Sequence, residues 1–119
     1  MALFTSLFSF SFEKIAPNAA YDMVTHGSAL LFDVRETEEL QAEGKAAMAE
    51  FFPKSSIDAQ DASYKAKLAT LPKDKTLIFY CRSGKRAGIV ADHFTKLGFT
   101  TKNMGAFSDW VAAGLPVSK

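Results

Sequence analysis

A single cysteine, Cys81, stands in the whole chain, so no internal disulfide can support the fold, and no Cys/His cluster has the spacing of a zinc site. Basic residues are equally sparse in pattern: 14 Lys and Arg are scattered against 13 Asp and Glu, for a net charge of +1. With no basic stripe, there is no electrostatic footprint for nucleic acid. No apolar run is long enough for a transmembrane segment. The opening stretch "MALFTSLFSFSF" has no Lys or Arg before Lys14 and no small-residue cleavage site, so it does not read as a secretory signal. The cytoplasm is the default compartment for such a chain.

The chain does have apolar material, at 48% of 119 residues, enough for one compact core and too little for two domains. Residues 1–11 read as an apolar N-terminal extension and residues 12–119 as a single domain. There, Phe8, Phe10 and Phe12 alternate with Ser9 and Ser11 on a strand reading, whereas Leu3, Phe4, Leu7 and Phe8 share a side on a helix reading. The expected role is packing on its own domain, with a weak homodimer contact or a membrane-surface contact as the alternatives.

Beyond it, element types alternate. Pro17 and Asn18 open a helix that Gly27 stops; "ALLFDV" reads as a strand covered on both faces; "ETEELQAEG" is a short helix closed by Gly44. "AAMAEFF" favours a strand because of its place before Pro53. "DASYKAKLATL" has helical spacing, "PKDK" turns the chain, and "TLIFYC" is a second buried strand. "RAGIVADHFTKLG" is a long helix, "FTTKNM" the last strand and "FSDWVAAG" the last helix. Strands alternating with helices give an α/β fold, a mostly parallel sheet with helices on both faces.

Against that layout, "FYCRSGKRAG" places Cys81 at the carboxyl end of a buried strand, with the following loop opening a helix. Open α/β sheets bind ligands at such strand ends. Loop N–H groups, the helix N-terminus and the cations Arg82, Lys85 and Arg86 all favour thiolate over thiol. Gly84 allows a turn at positive φ close to a bound anion, and Ser83 offers a hydroxyl. Cys81 is therefore the expected nucleophile. His26 and His93 cannot be placed against it as a base and are read as surface or packing residues, and Trp110 as core.

Three motifs in order resemble the rhodanese (thiosulfate sulfurtransferase) homology domain: "LLFDVRETEEL", with an Asp-x-Arg segment; "CRSGKRAG", like the active loop; and "GAFSDWVAAGLPV", like the closing signature. The resemblance runs from about Phe12 to Val117. It implies a rhodanese-like, five-stranded, mostly parallel sheet flanked by helices on both faces, and a single-domain sulfurtransferase working without cofactor or metal. In that cycle Cys81 takes the outer sulfur of a small anionic donor such as thiosulfate and passes it to cyanide, a small thiol or a protein thiol. The resemblance also implies that Arg82, Ser83, Gly84, Lys85 and Arg86 bind the substrate. Asp33 and Arg35, matching Asp-x-Arg, are implied as supporting groups that pair with loop charges or hold the strand end. An alternative is a sulfur-carrier module loaded by partner proteins, with little turnover of small molecules. Cysteine phosphatases and arsenate reductases of the same fold are less well matched, because they carry Arg six positions after the cysteine, where this chain has Ala87. Two departures are visible: Gly105-Ala106 replaces a common Gly-Gly, and "AAMAEFFPKSS" is atypical.

Overall fold

In the computed structural model, residues 12–119 are described, so the expectations for residues 1–11 lie outside the described residues. The chain runs β1 (Glu13–Lys14), α1 (Pro17–Thr25), β2 (Ala29–Asp33), α2 (Thr37–Glu43), β3 (Lys45–Ala46), β4 (Glu50–Phe51) and α3 (Lys54–Ala59). It continues through α4 (Ala62–Thr70), β5 (Thr76–Cys81), α5 (Lys85–Lys96), β6 (Thr100–Ala106), α6 (Phe107–Ala112) and β7 (Val117–Ser118). Five strands form one sheet in the order β1-β6-β5-β2-β4, with every pair parallel. The antiparallel pairing is confined to a separate ribbon, β3 with β7.

The central strands β2 and β5 are almost wholly buried because both faces of the sheet are covered. Period-two alternation sends Leu77, Phe79 and Cys81 to one side, packed with Phe32, Phe52, Tyr64, Val90 and Phe94 of a core closed by α4 and α5. Ile78 and Tyr80 go to the other side, with Leu31, Met104, Phe107 and Trp110 beneath α1 and α6. Fully burying side chains of this size stabilises by about 1.5–3 kcal/mol each before chain entropy is subtracted. Trp110 is completely buried, and its Nε1 donates to the Pro116 carbonyl at 2.8 Å, so its polar edge is satisfied.

Helix ends follow the sequence signals. Pro17 occupies the first turn of α1, and Asp61 caps α4 by accepting from the Tyr64 N–H at 2.9 Å. Gly44 closes α2 at φ 81°. The middle of the chain differs from expectation. "AAMAEFF" is not one strand, because Lys45–Ala46 pairs with β7 in the ribbon whereas Glu50–Phe51 pairs with β2 in the main sheet. The helix α3, starting after Pro53, has no counterpart in the sequence reading; only Ser56 and Ile57 of its six residues are buried, too few to show a period. Among the described residues, no helix is long and apolar enough to cross a membrane.

Candidate active site

Strand β5 delivers Cys81 to the top of the sheet. Its residue has no solvent exposure in the resting structure. Sγ accepts hydrogen bonds from the Gly84 N–H at 3.0 Å and the Ala87 N–H at 3.4 Å. Loop and helix start thus fold back over the sulfur and aim N–H dipoles at it, the arrangement that favours negative charge there.

Gly84 makes the turn possible. Its φ is 94°, and a Cβ there would lie 3.1 Å from the Gly105 Cα. Both the dihedral and the close approach require glycine. The approach is fixed by Asn103, which the sequence reading passed over as an ordinary strand residue. Its Nδ2 donates to the Gly84 carbonyl at 3.0 Å, and its Oδ1 accepts from the Gly105 N–H at 2.8 Å. A register irregularity between Phe79 and Tyr80 pairs Phe79 with Asn103 but Tyr80 with Gly105, which brings Asn103 and Gly105 both against the loop. Ala106 follows at φ −100°, so the departure from Gly-Gly costs no backbone strain.

The loop cations occupy different environments. Arg82 and Lys85 are exposed, and no carboxylate pairs with either among the described residues. Ser83 is exposed and its Oγ accepts from the Lys85 N–H at 3.3 Å. Arg86 instead turns to α2 and holds Glu39 in a two-point pair at 2.7 and 2.8 Å.

Asp33 and Arg35 lie apart from the loop and bind each other. Both are fully buried, with Arg35 Nη2 to Asp33 Oδ2 at 2.7 Å, and the guanidinium also reaches Glu43 and the Gly44 carbonyl. The Arg35 guanidinium stacks over the Phe107 ring at 4.2 Å. Tyr80 joins this network: its hydroxyl donates to Asp33 Oδ2 at 2.6 Å and accepts from the Ala46 N–H at 3.0 Å. Burial first, and then the neighbouring Asp33 charge, push the Tyr80 phenol well above its usual range. The pair therefore anchors the strand end and α2 from the face of the sheet opposite Cys81. His93 is engaged elsewhere, with Nε2 2.7 Å from the Tyr64 hydroxyl.

A cavity of about 1050 Å³ opens beside the loop, bordered by Ser83, Gly84 and Lys85 and by the apolar side chains of Phe12, Ile15 and Ile89. Cys81 does not reach its wall, whereas Gly84, whose N–H bonds Sγ, does.

A family model for the rhodanese-like domain matches residues 16–113, spanning four of the five sheet strands, the Cys81 loop and Trp110. The chain belongs to the rhodanese-like domain family. YtwF of Bacillus subtilis (strain 168), which carries a provisional sulfurtransferase name, is 38% identical over 81 residues, covering 67% of this chain and 71% of that protein. The human single-domain sulfurtransferase TSTD1 superposes with a TM-score of 0.68 at 29% identity, covering 83% of this chain and 95% of that one. The polysulfide-sulfur transferase homodimer of Wolinella succinogenes superposes with a TM-score of 0.74 at 23% identity, over 91% of this chain and 79% of that chain, a likeness of fold alone. The five-stranded parallel sheet is thus that of a rhodanese-like domain, and sulfur transfer is the general activity that the family and its named relatives support.

Proposed function

We propose that this rhodanese-like domain moves sulfane sulfur from a small anionic donor, thiosulfate or a persulfide, to a thiophilic acceptor through a persulfide on Cys81. The observation that carries this reading is the Cys81 sulfur at a strand end beneath the Gly84 and Ala87 N–H groups. In the loading step the Cys81 thiolate attacks the outer sulfur of thiosulfate. The new S–S bond forms as the sulfur–sulfur bond of the donor breaks, and sulfite leaves with the electron pair. Loop N–H groups, with exposed Arg82 and Lys85, would stabilise both the arriving and the departing anion. In the unloading step a thiolate or cyanide attacks the outer sulfur of the persulfide and Cys81 leaves as thiolate. These 119 residues hold no second cysteine, so an acceptor thiol lies outside them.

Mass spectrometry of the intact protein tests the cycle. Thiosulfate treatment should add one sulfur atom to the Cys81 peptide, and cyanide or a reducing thiol should remove it. Cys81→Ser should fold and take up none; a folded Cys81→Ser variant that still transfers sulfur would remove Cys81 from the mechanism.

A second reading, a carrier loaded by a partner protein's persulfide, draws support from the complete burial of Cys81 in the resting structure. Loading by a protein persulfide together with refusal of thiosulfate would favour it.

A further inference from the structure

The three loop cations do not present three charges to a donor. Arg86 engages one carboxylate with both terminal guanidinium nitrogens, Nη1 to Glu39 Oε1 at 2.7 Å and Nη2 to Glu39 Oε2 at 2.8 Å. Glu39 is itself fixed. Its Oε1 also accepts from the Glu36 N–H at 3.0 Å, one half of a capping box at the start of α2. The Glu36 carboxylate, which completes the box, is tied across to Ser55 through its N–H at 3.2 Å and its hydroxyl at 2.6 Å. Glu39 therefore cannot swing off Arg86 without also giving up the Glu36 N–H.

Arg86 directly precedes Ala87, whose N–H lies 3.4 Å from the Cys81 sulfur. Arg86 is held more firmly in its cationic form, first by Glu39 and to a smaller extent by Cys81 itself. Hydrogen bonding from Arg86 lowers the Glu39 carboxyl to about 2, so it is ionised at any working pH. Glu39 thus sets a full negative charge, from α2, against one of the three positive charges that the loop's composition promises.

We propose that Glu39 sets donor specificity in this loop, by offsetting Arg86 so that sulfane donors bearing one negative charge are favoured over dianionic thiosulfate. The inference rests on the sulfur-transfer reading above. Thiosulfonates, in which an organic group replaces one sulfonate oxygen, and organic persulfides are the chemical class that fits. The chemistry is unchanged: the thiolate of Cys81 takes the outer sulfur, and a sulfinate or a thiolate leaves in place of sulfite. Glu39 acts through Arg86 as a positioning residue and touches no reacting atom.

The test compares thiosulfate with methanethiosulfonate, which offers the same outer sulfur with one charge fewer, using cyanide as common acceptor. Glu39→Gln keeps the shape and one acceptor oxygen while removing the charge. At low salt it should raise kcat/KM for thiosulfate about tenfold and for methanethiosulfonate about threefold, and the difference should shrink near about 0.5 M salt. An independent readout needs no sulfur donor: the ratio of Cys81 alkylation rates by anionic iodoacetate and neutral iodoacetamide should rise about threefold in the same variant.

Ratios unchanged in both readouts, or both donors slowed alike in a folded variant, would overturn the proposal. A shifted alkylation ratio in a protein that accepts sulfur from neither donor would support Glu39 as the charge-setting group and overturn only the transfer reading. Should Glu39→Gln not fold, Arg86→Gln is read instead. It leaves Glu39 unpaired beside the loop and should lower the thiosulfate-to-thiosulfonate ratio about threefold; a ratio that stays level or rises would sink the idea.

Discussion

Asn103 clasps Gly84 across the tops of two neighbouring strands, its amide nitrogen on the loop carbonyl at 3.0 Å while its amide oxygen holds the Gly105 N–H at 2.8 Å. The residue is 8% exposed, so water cannot readily replace it. Asn103→Ala should take the side-chain acceptor from the Gly105 N–H and leave the Gly84 carbonyl only its bond from the Gly88 N–H at 2.9 Å, lowering stability by about 1–3 kcal/mol. Released from its anchor, the loop should also load sulfur about tenfold or more slowly, since small displacements of reacting groups are costly. Thermal unfolding and single-turnover persulfide formation measure the two effects separately; an unchanged loading rate would mean the loop holds its shape without Asn103.

Gly84→Ala places a Cβ 3.1 Å from the Gly105 backbone at a φ that disfavours any side chain. The left-handed conformation alone costs about 1–2 kcal/mol. Because the Gly84 N–H is one of the two donors on Sγ, the variant should lose more in persulfide formation than in melting temperature. Equal, small losses in both would indicate that the donor is dispensable.

How much of this was legible beforehand depends on how far apart the partners are in sequence. "ALLFDV" and "TLIFYC" announced themselves as buried strands through composition alone, and Cys81 took its place from the end of the second. Glu39 could be read as helical, but nothing local points from it to Arg86, 47 residues away. Asn103 was hidden for a related reason: its role depends on a register irregularity with β5 that only the assembled sheet reveals. The two-residue strands β3 and β4 are too short to carry a period, and each is defined by the strand it meets rather than by its own residues. Asp33 and Arg35 were visible as a motif, yet their two possible attachments, loop or strand end, could be told apart only by seeing Tyr80 and Gly44 in the same network.

That network gives a third prediction. Arg35→Met would leave the Asp33 carboxylate buried without its counter-charge and should cost about 3–5 kcal/mol. The double variant Asp33→Asn with Arg35→Met should recover much of the loss, as measured by urea unfolding. If the single change proves harmless, the pair is not what holds the strand end.

Acid titration supplies a fourth. Glu39 has a carboxyl lowered in the folded state from 4.5 to about 2, chiefly by Arg86. A depressed folded-state value means the stabilisation is fully present above the unfolded value and is lost as pH falls through the folded one. The pair should therefore weaken between about pH 4.5 and pH 2, with a loss of about 1 kcal/mol because solvent screens a partly exposed pair. Glu39→Gln should be less stable than the parent above this window and converge with it below; parallel curves throughout would contradict the assignment.

Complete burial of Cys81 has a regiochemical consequence. A persulfide offers an incoming thiolate two sulfur atoms. Attack on the outer one yields a new persulfide and frees Cys81; attack on the inner one yields a mixed disulfide with the protein and expels hydrosulfide. A persulfide on Cys81 would carry its outer atom about 2 Å beyond Sγ, with the inner atom in the place where Sγ now lies beneath the Gly84 and Ala87 amides. On the proposed cycle the outer atom would stand in the path by which a donor reaches Sγ, so an incoming thiolate would meet the productive end first, and capping of the protein by its own acceptor would be disfavoured.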